Sequence, residues 1–161
     1  MLQKFVRLFL VQFFFAQFLF AQKTTLKYID KFLPAATELS TEFGIPVSII
    51  LGVSILESAS GTSNNCIDLN NYFGVKGKNH LKKRKTKYKQ YAKAEDSFHD
   101  FCGIISRKKF YSKLKYTTDY KRWLNEMNKA EYAGAKESWV NAITKIIRYY
   151  KLSAHDVKYL P

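Results

Sequence analysis

The 161-residue chain is poor in cysteine, proline, histidine and acid. Two cysteines are too few for a disulfide-built scaffold. His80, His99 and His155 are scattered and lack the paired spacing of a zinc site, so no metal is expected. Three prolines and no Pro/Ser-rich stretch leave no linker, which favours one folded unit. A phosphate-binding glycine loop, a nucleophilic-serine motif and a dinucleotide fingerprint are all missing, which excludes those enzyme classes and leaves no cofactor to expect. Acids are scarce as well: 13 Asp and Glu face 27 Lys and Arg, a net charge of +14. Such a balance favours polyanionic surroundings, whether nucleic acid, anionic lipid or an anionic wall polymer.

What is present begins with an apolar run. Residues 1–22 carry Lys4 and Arg7, then a hydrophobic stretch broken only by Gln12 and Gln17, then Ala21 at a cleavage-like position. This reads as a signal peptide, with a retained anchor as the alternative because Leu19 stands where a small residue is usual. Residues 23–161 then form the domain, exported to the periplasm, envelope or exterior, and expected to be monomeric. Export makes nucleic acid the least expected polyanion. In an oxidising compartment Cys66 and Cys102 can form one disulfide or remain two separate buried thiols, and both readings stay open.

Along the chain, helical spacing is set by Leu26, Ile29, Phe32, Leu33, Ala36, Leu39 and Phe43, with Pro34 as a kink or restart and Gly44 as a stop. A second helix starts at Pro46 and runs to residue 58. Residues 58–71 have loop composition, and residues 72–91 allow at most a short hairpin. Further helices fit residues 94–105, 118–128 and 135–150. The fold class is therefore α+β and mainly α, with a small β-hairpin or irregular insert.

The second helix ends on a carboxylate. Ile50, Val53 and Ser54 lie seven, four and three residues before Glu57, so the acid shares a side with apolar residues. Partial withdrawal from water favours the protonated form and suits a general acid. The bland alternative is a surface acid at a frayed helix end.

The segments ILESASGTS (residues 55–63) and NNYFGVKG (residues 70–77) together resemble the signature of bacterial glucosaminidases of glycoside hydrolase family 73, the flagellar and autolysin type. YAKAEDSFHDF is similar to the start of that family's next helix, and EYAGAK to its Ala-x-Tyr-Ala element. The matches run in family order over residues 26–152. The resemblance implies a lysozyme-like helical fold that cleaves the β-1,4 glycan of peptidoglycan as an endo-β-N-acetylglucosaminidase. It implies Glu57 as the general acid and Tyr132 as a positioning hydroxyl. Asn71, Tyr72, Ser60 and Asp68 are candidates for substrate contact.

Two departures qualify the resemblance. Glycosidases generally use a second carboxylate, which the family places on a hairpin before the helix at Glu95. Residues 76–93, which open on Lys76 and close on Lys93, carry nine Lys or Arg and no acid; between Glu57 and Glu95 the only carboxylate is Asp68. Assistance by the substrate's 2-acetamido group, a tyrosine-held water, or a shift of Asp68 can each replace it. Ala59 and Ser60 also stand where the family commonly has Gly and Trp, leaving Tyr72, Tyr88, Tyr91 or Trp139 as a sugar platform. Two alternatives to the enzyme follow: a weak or inactive cell-wall glycan binder of the same fold, and a basic envelope protein that holds anionic polymers through residues 76–93.

Overall fold

The computed structural model describes residues 22–132, 134 and 136–158 in full, and residues 2–21 as helical backbone only. The leader expected over residues 1–22 therefore lies, but for its last residue, outside the fully described residues. Among the described residues seven α-helices follow in order: α1 (Leu2–Phe43), α2 (Val47–Ser58), α3 (Asn64–Leu69), α4 (Ala94–Ser106), α5 (Tyr111–Leu114), α6 (Tyr120–Lys129) and α7 (Glu137–Tyr149). A 3-10 turn, Leu152–His155, ends the series.

The core is built around α2. Every residue from Val47 to Ile55 is buried, because α1, α6, α7 and the 3-10 turn all pack on this one helix. Gly52 permits the closest of these approaches: a Cβ there would lie 3.0 Å from side-chain atoms of both Ile143 and Ile147 of α7. The free N-terminal end of α2 is closed by Asp156, whose Oδ1 accepts from the Ser48 amide at 2.7 Å and Oδ2 from the Ser48 hydroxyl at 2.9 Å.

Helix α1 presents Tyr28, Ile29, Phe32, Ala36 and Leu39 to this core, while Leu26 is exposed. The buried face thus differs from that expected at its N-terminal end: Tyr28, two positions on, is turned inward where Leu26 is expected, and it closes an aromatic cluster with Phe32, Tyr72 and Phe98. Pro34 lies within α1 without ending it.

The sequence reading missed two short helices. Residues 64–69, read as loop, form α3 because Ser63 caps it, its hydroxyl accepting from the Cys66 amide. Helix α5 is a single turn, below the length at which periodicity can show. The insert matches the mainly α expectation: among the described residues its β content is one antiparallel bridge, Lys76 with Tyr88. Around that bridge, Gly77 N donates to Lys87 O (2.9 Å), Lys89 N to Val75 O (2.8 Å) and Gln90 N to Lys78 O (3.1 Å). Both cysteines are free and buried, so the thiol alternative holds.

Candidate active site

Helix α2 loses its apolar neighbours at its last turn, and Glu57 emerges there half-buried. Its Oε1 accepts a hydrogen bond of 2.8 Å from the indole N–H of Trp139, near the start of α7. Oε2 faces Gly74, where an added Cβ would lie 3.7 Å from it. Gly74 has φ +66, a left-handed backbone that glycine adopts without strain, and its missing side chain leaves room beside the carboxyl. Desolvation pushes the Glu57 pKa above its ordinary value, more than the Trp139 hydrogen bond lowers it.

A cavity of about 320 Å³ opens at this point, lined by Glu57, Phe73, Gly74, Val75, Lys76, Ile104, Lys108, Glu131 and Tyr132. Tyr132 follows α6 and is packed edge-on to Phe101, centroids 5.8 Å apart, and against Trp139 at 5.8 Å. Burial, and secondarily the nearby Glu57, raise its phenol pKa, so it stays protonated and serves as a hydroxyl rather than a base. Glu57, Trp139 and Tyr132 therefore form one connected group, tied together by a hydrogen bond and a ring contact.

The remaining predicted contacts lie elsewhere. Asn71 is buried and holds the fold: its Nδ2 donates to Val75 O (2.9 Å) and Lys89 O (2.8 Å), and its Oδ1 accepts from Val75 N (3.1 Å). It closes the turn that delivers Phe73 and Gly74 to the cavity, and both of its side-chain N–H groups are spent on backbone carbonyls. Tyr72 belongs to the aromatic core, and Ser60 bonds Thr25 Oγ1 at 2.8 Å; both line a separate cleft against α1. Asp68 does not reach the cavity. Lys83 pairs with it and Arg84 Nε lies 3.2 Å from its Oδ2, and these partners hold its carboxyl below the usual range. A shift of Asp68 toward Glu57 would have to break both pairs.

Among the aromatic candidates, Tyr91 is buried and its hydroxyl donates to Asp100 at 2.8 Å. Tyr88 comes near the cavity, its Cε1 3.8 Å from the Cβ position of Gly74. Trp139 holds Glu57 instead of presenting a platform. Three cavity residues escaped sequence reasoning: Glu131, Lys108 and Ile104. Glu131 was visible only as the residue preceding Tyr132, and the lysine as one of many. Lys108 also lines a neighbouring cavity of about 360 Å³ with Lys109, Lys113 and Lys129, so positive charge continues away from Glu57.

A mainly helical domain with a half-buried carboxylic acid in a cleft is the class of architecture that lysozyme-like glycosidases use. The glucosaminidase family model, described as mannosyl-glycoprotein endo-β-N-acetylglucosaminidase, matches residues 33–152, and the chain belongs to this family of glycoside hydrolases. Solved structures share the fold. The catalytic domain of the autolysin Auto from Listeria monocytogenes superposes with a TM-score of 0.68 at 19% identity, over 83% of this chain and 88% of that one. The glycoside hydrolase domain of FlgJ from Salmonella typhimurium gives 0.64 at 20% identity, over 81% and 90%. A peptidoglycan hydrolase from Sphingomonas sp. A1 gives 0.63 at 19%, over 80% and 91%. No curated protein matches the chain by sequence.

Proposed function

We propose that the protein is a peptidoglycan hydrolase that cleaves the β-1,4 glycan backbone as an endo-β-N-acetylglucosaminidase, with Glu57 as the general acid. The observation that carries this reading is the setting of Glu57: in a cleft, half-buried so that desolvation raises its pKa toward that of a proton donor, and oriented by the Trp139 indole. Because Oε1 accepts the indole hydrogen bond, the proton of the neutral acid sits on Oε2, the oxygen beside Gly74. From there it can pass to a glycosidic oxygen bound in the cavity. The Tyr132 hydroxyl, next to this acid, positions the sugar or the attacking water.

The family description names a glycoprotein glycan, whereas the structural relatives include wall hydrolases. The excess of basic residues favours a wall substrate, since the stem peptides of peptidoglycan carry carboxylates. Lys76 and Lys108 in the cavity are suited to such a polyanion. The leader-like composition of residues 1–22 agrees with this location, and export would bring the enzyme to its substrate.

Digestion of purified peptidoglycan by the mature protein beside Glu57→Gln tests the proposal. Reducing-end N-acetylglucosamine, identified by mass after reduction, is expected from the parent alone. Wall pelleting by both proteins with no new reducing ends would instead support the glycan-binding alternative.

A further inference from the structure

The expected position of the second carboxylate is empty of acid, and the structure shows which candidates it removes and which it supplies. Asp68 is held by Lys83 and Arg84, and Asp100 by Lys89 at 2.6 Å and Tyr91 at 2.8 Å. Two of the residues lining the cavity are acids: Glu57 and Glu131. We propose that Glu131 is the second catalytic carboxylate, the base that activates water opposite Glu57. The inference rests on the glycosidase reading above and names a group that the family's hairpin does not supply here.

Three observations support it, and the backbone at this position shows how to test it. Glu131 lines the same cavity as Glu57 and is exposed, whereas Glu57 is desolvated. An acid and a base in one glycosidase need such contrasting surroundings. Among the described residues no ion pair or hydrogen bond engages the Glu131 carboxylate, unlike Asp68, Asp100 and Glu126. Its backbone is left-handed, φ +54, a conformation that costs a non-glycine residue about 1–2 kcal/mol. The turn imposes this conformation: Glu131 N donates to Asn128 O at 3.0 Å and Gly134 N to Glu131 O at 3.3 Å. Glycine adopts such a turn without strain, which makes it the informative replacement at this position. Finally, Glu131 precedes Tyr132, which contacts Trp139, which holds Glu57, so one short chain of contacts links the segment that carries Glu131 to the acid.

The step balances with one water. Glu57 gives its proton to the glycosidic oxygen as the C1–O bond breaks. The oxygen of a cavity water bonds to C1 and passes its proton to Glu131. Glu57 is left ionised and Glu131 protonated, and exchange with solvent restores both. Attack from the face opposite the leaving group inverts the anomeric configuration.

The test uses Glu131→Gln and Glu131→Gly, assayed on purified peptidoglycan, with unfolding followed by circular dichroism. Glycine suits the left-handed turn, so Glu131→Gly should fold at least as well as the parent and isolates the loss of the carboxylate. Both variants should lose about 10²–10⁴-fold in kcat with KM little changed. Formate should partly restore Glu131→Gly but not Glu57→Gln, a rescue that a structural role would not show, and nuclear magnetic resonance of the parent's first products should show the α anomer. Activity of Glu131→Gly within threefold of the parent, or a retained β anomer, overturns the assignment while leaving the glucosaminidase reading intact. A parent that releases no fragments overturns both.

Discussion

Glu57 and Lys76 line one cavity but come from regions built in opposite ways. Glu57 ends a helix in which every residue from Val47 to Ile55 is buried, and a buried indole fixes its carboxyl. Lys76 opens an 18-residue stretch, residues 76–93, in which Tyr91 alone is buried and the chain is held by backbone bonds, amide side chains and ion pairs. One region tunes a single proton through desolvation; the other supplies charge and shape with little core of its own. Chemistry that needs a shifted pKa belongs on the first, and adaptation to a charged polymer on the second.

The sharpest way to break the contrast is to remove the tuned proton. Glu57→Gln should lower kcat by about 10²–10⁴-fold. It should also raise Tm at pH 7, by less than about 5 °C. The sign follows from the raised pKa. A glutamate whose folded pKa lies above its ordinary 4.5 stabilises the fold relatively below that value, and this contribution is lost as pH rises through the folded pKa. Glutamine keeps an oxygen for the Trp139 bond and has no charge to desolvate. Thermal melts at pH 4 and pH 7 check this: the variant's advantage should be confined to the higher pH, and equal melts at both would argue against a desolvated Glu57.

Asn71→Ala attacks the other region. It leaves the Val75 amide and the Val75 and Lys89 carbonyls without their side-chain partner, at a cost of about 2–4 kcal/mol. The prediction is lower denaturant stability and faster proteolysis within residues 76–93, with the α2 core still protected in hydrogen exchange. Uniform loss of protection would show that the insert and the helical core unfold together.

Trp139→Phe sharpens the comparison at the tuned acid itself. The indole N–H favours the ionised Glu57, so its removal should raise the Glu57 pKa further. Activity that requires the protonated acid falls as pH rises through that pKa, and the alkaline limb of the kcat profile should therefore move to higher pH. A roughly tenfold drop in kcat from looser orientation is expected alongside. An unmoved limb would mean that Glu57 does not set it.

How legible each region was in the sequence follows from the same contrast. Burial leaves a periodic record, so the main helices could be placed to within a few residues and Glu57 singled out at the end of an apolar one. Short elements held by caps leave little record: α3 depends on one serine, and α5 is a single turn. Asn71 and Tyr72 sit in the stretch that resembles the family signature, but a signature records residues kept for folding as well as for chemistry: Asn71 is engaged by the backbone of Val75 and Lys89, and Tyr72 packs in the aromatic cluster. Glu131 reaches the cavity by tertiary folding alone, across 74 positions from Glu57, and no local spacing announces it.

The smallest expected effect concerns the residue two places after Glu57. Ala59 is the C-terminal cap of α2 and has φ 51, ψ 50, and Ser60 follows at φ 54 before Gly61 at φ 79. The chain must turn through three left-handed residues to leave the helix while Gly61 N reaches the Ser58 hydroxyl at 2.8 Å and Ser63 N the Ser58 carbonyl at 3.0 Å. The family commonly has glycine at the first of these positions, and the conformation gives the reason: a Cβ there approaches the following carbonyl. Ala59→Gly should therefore stabilise the protein by about 1 kcal/mol, less the greater entropy that glycine adds to the unfolded chain. Ala59 is exposed and lies outside the cavity, so kcat should be unchanged. If kcat falls while stability rises, the strain at Ala59 helps to set the position of Glu57; if both are unchanged, the turn is determined by the bonds to Ser58 and not by the residue at its first position.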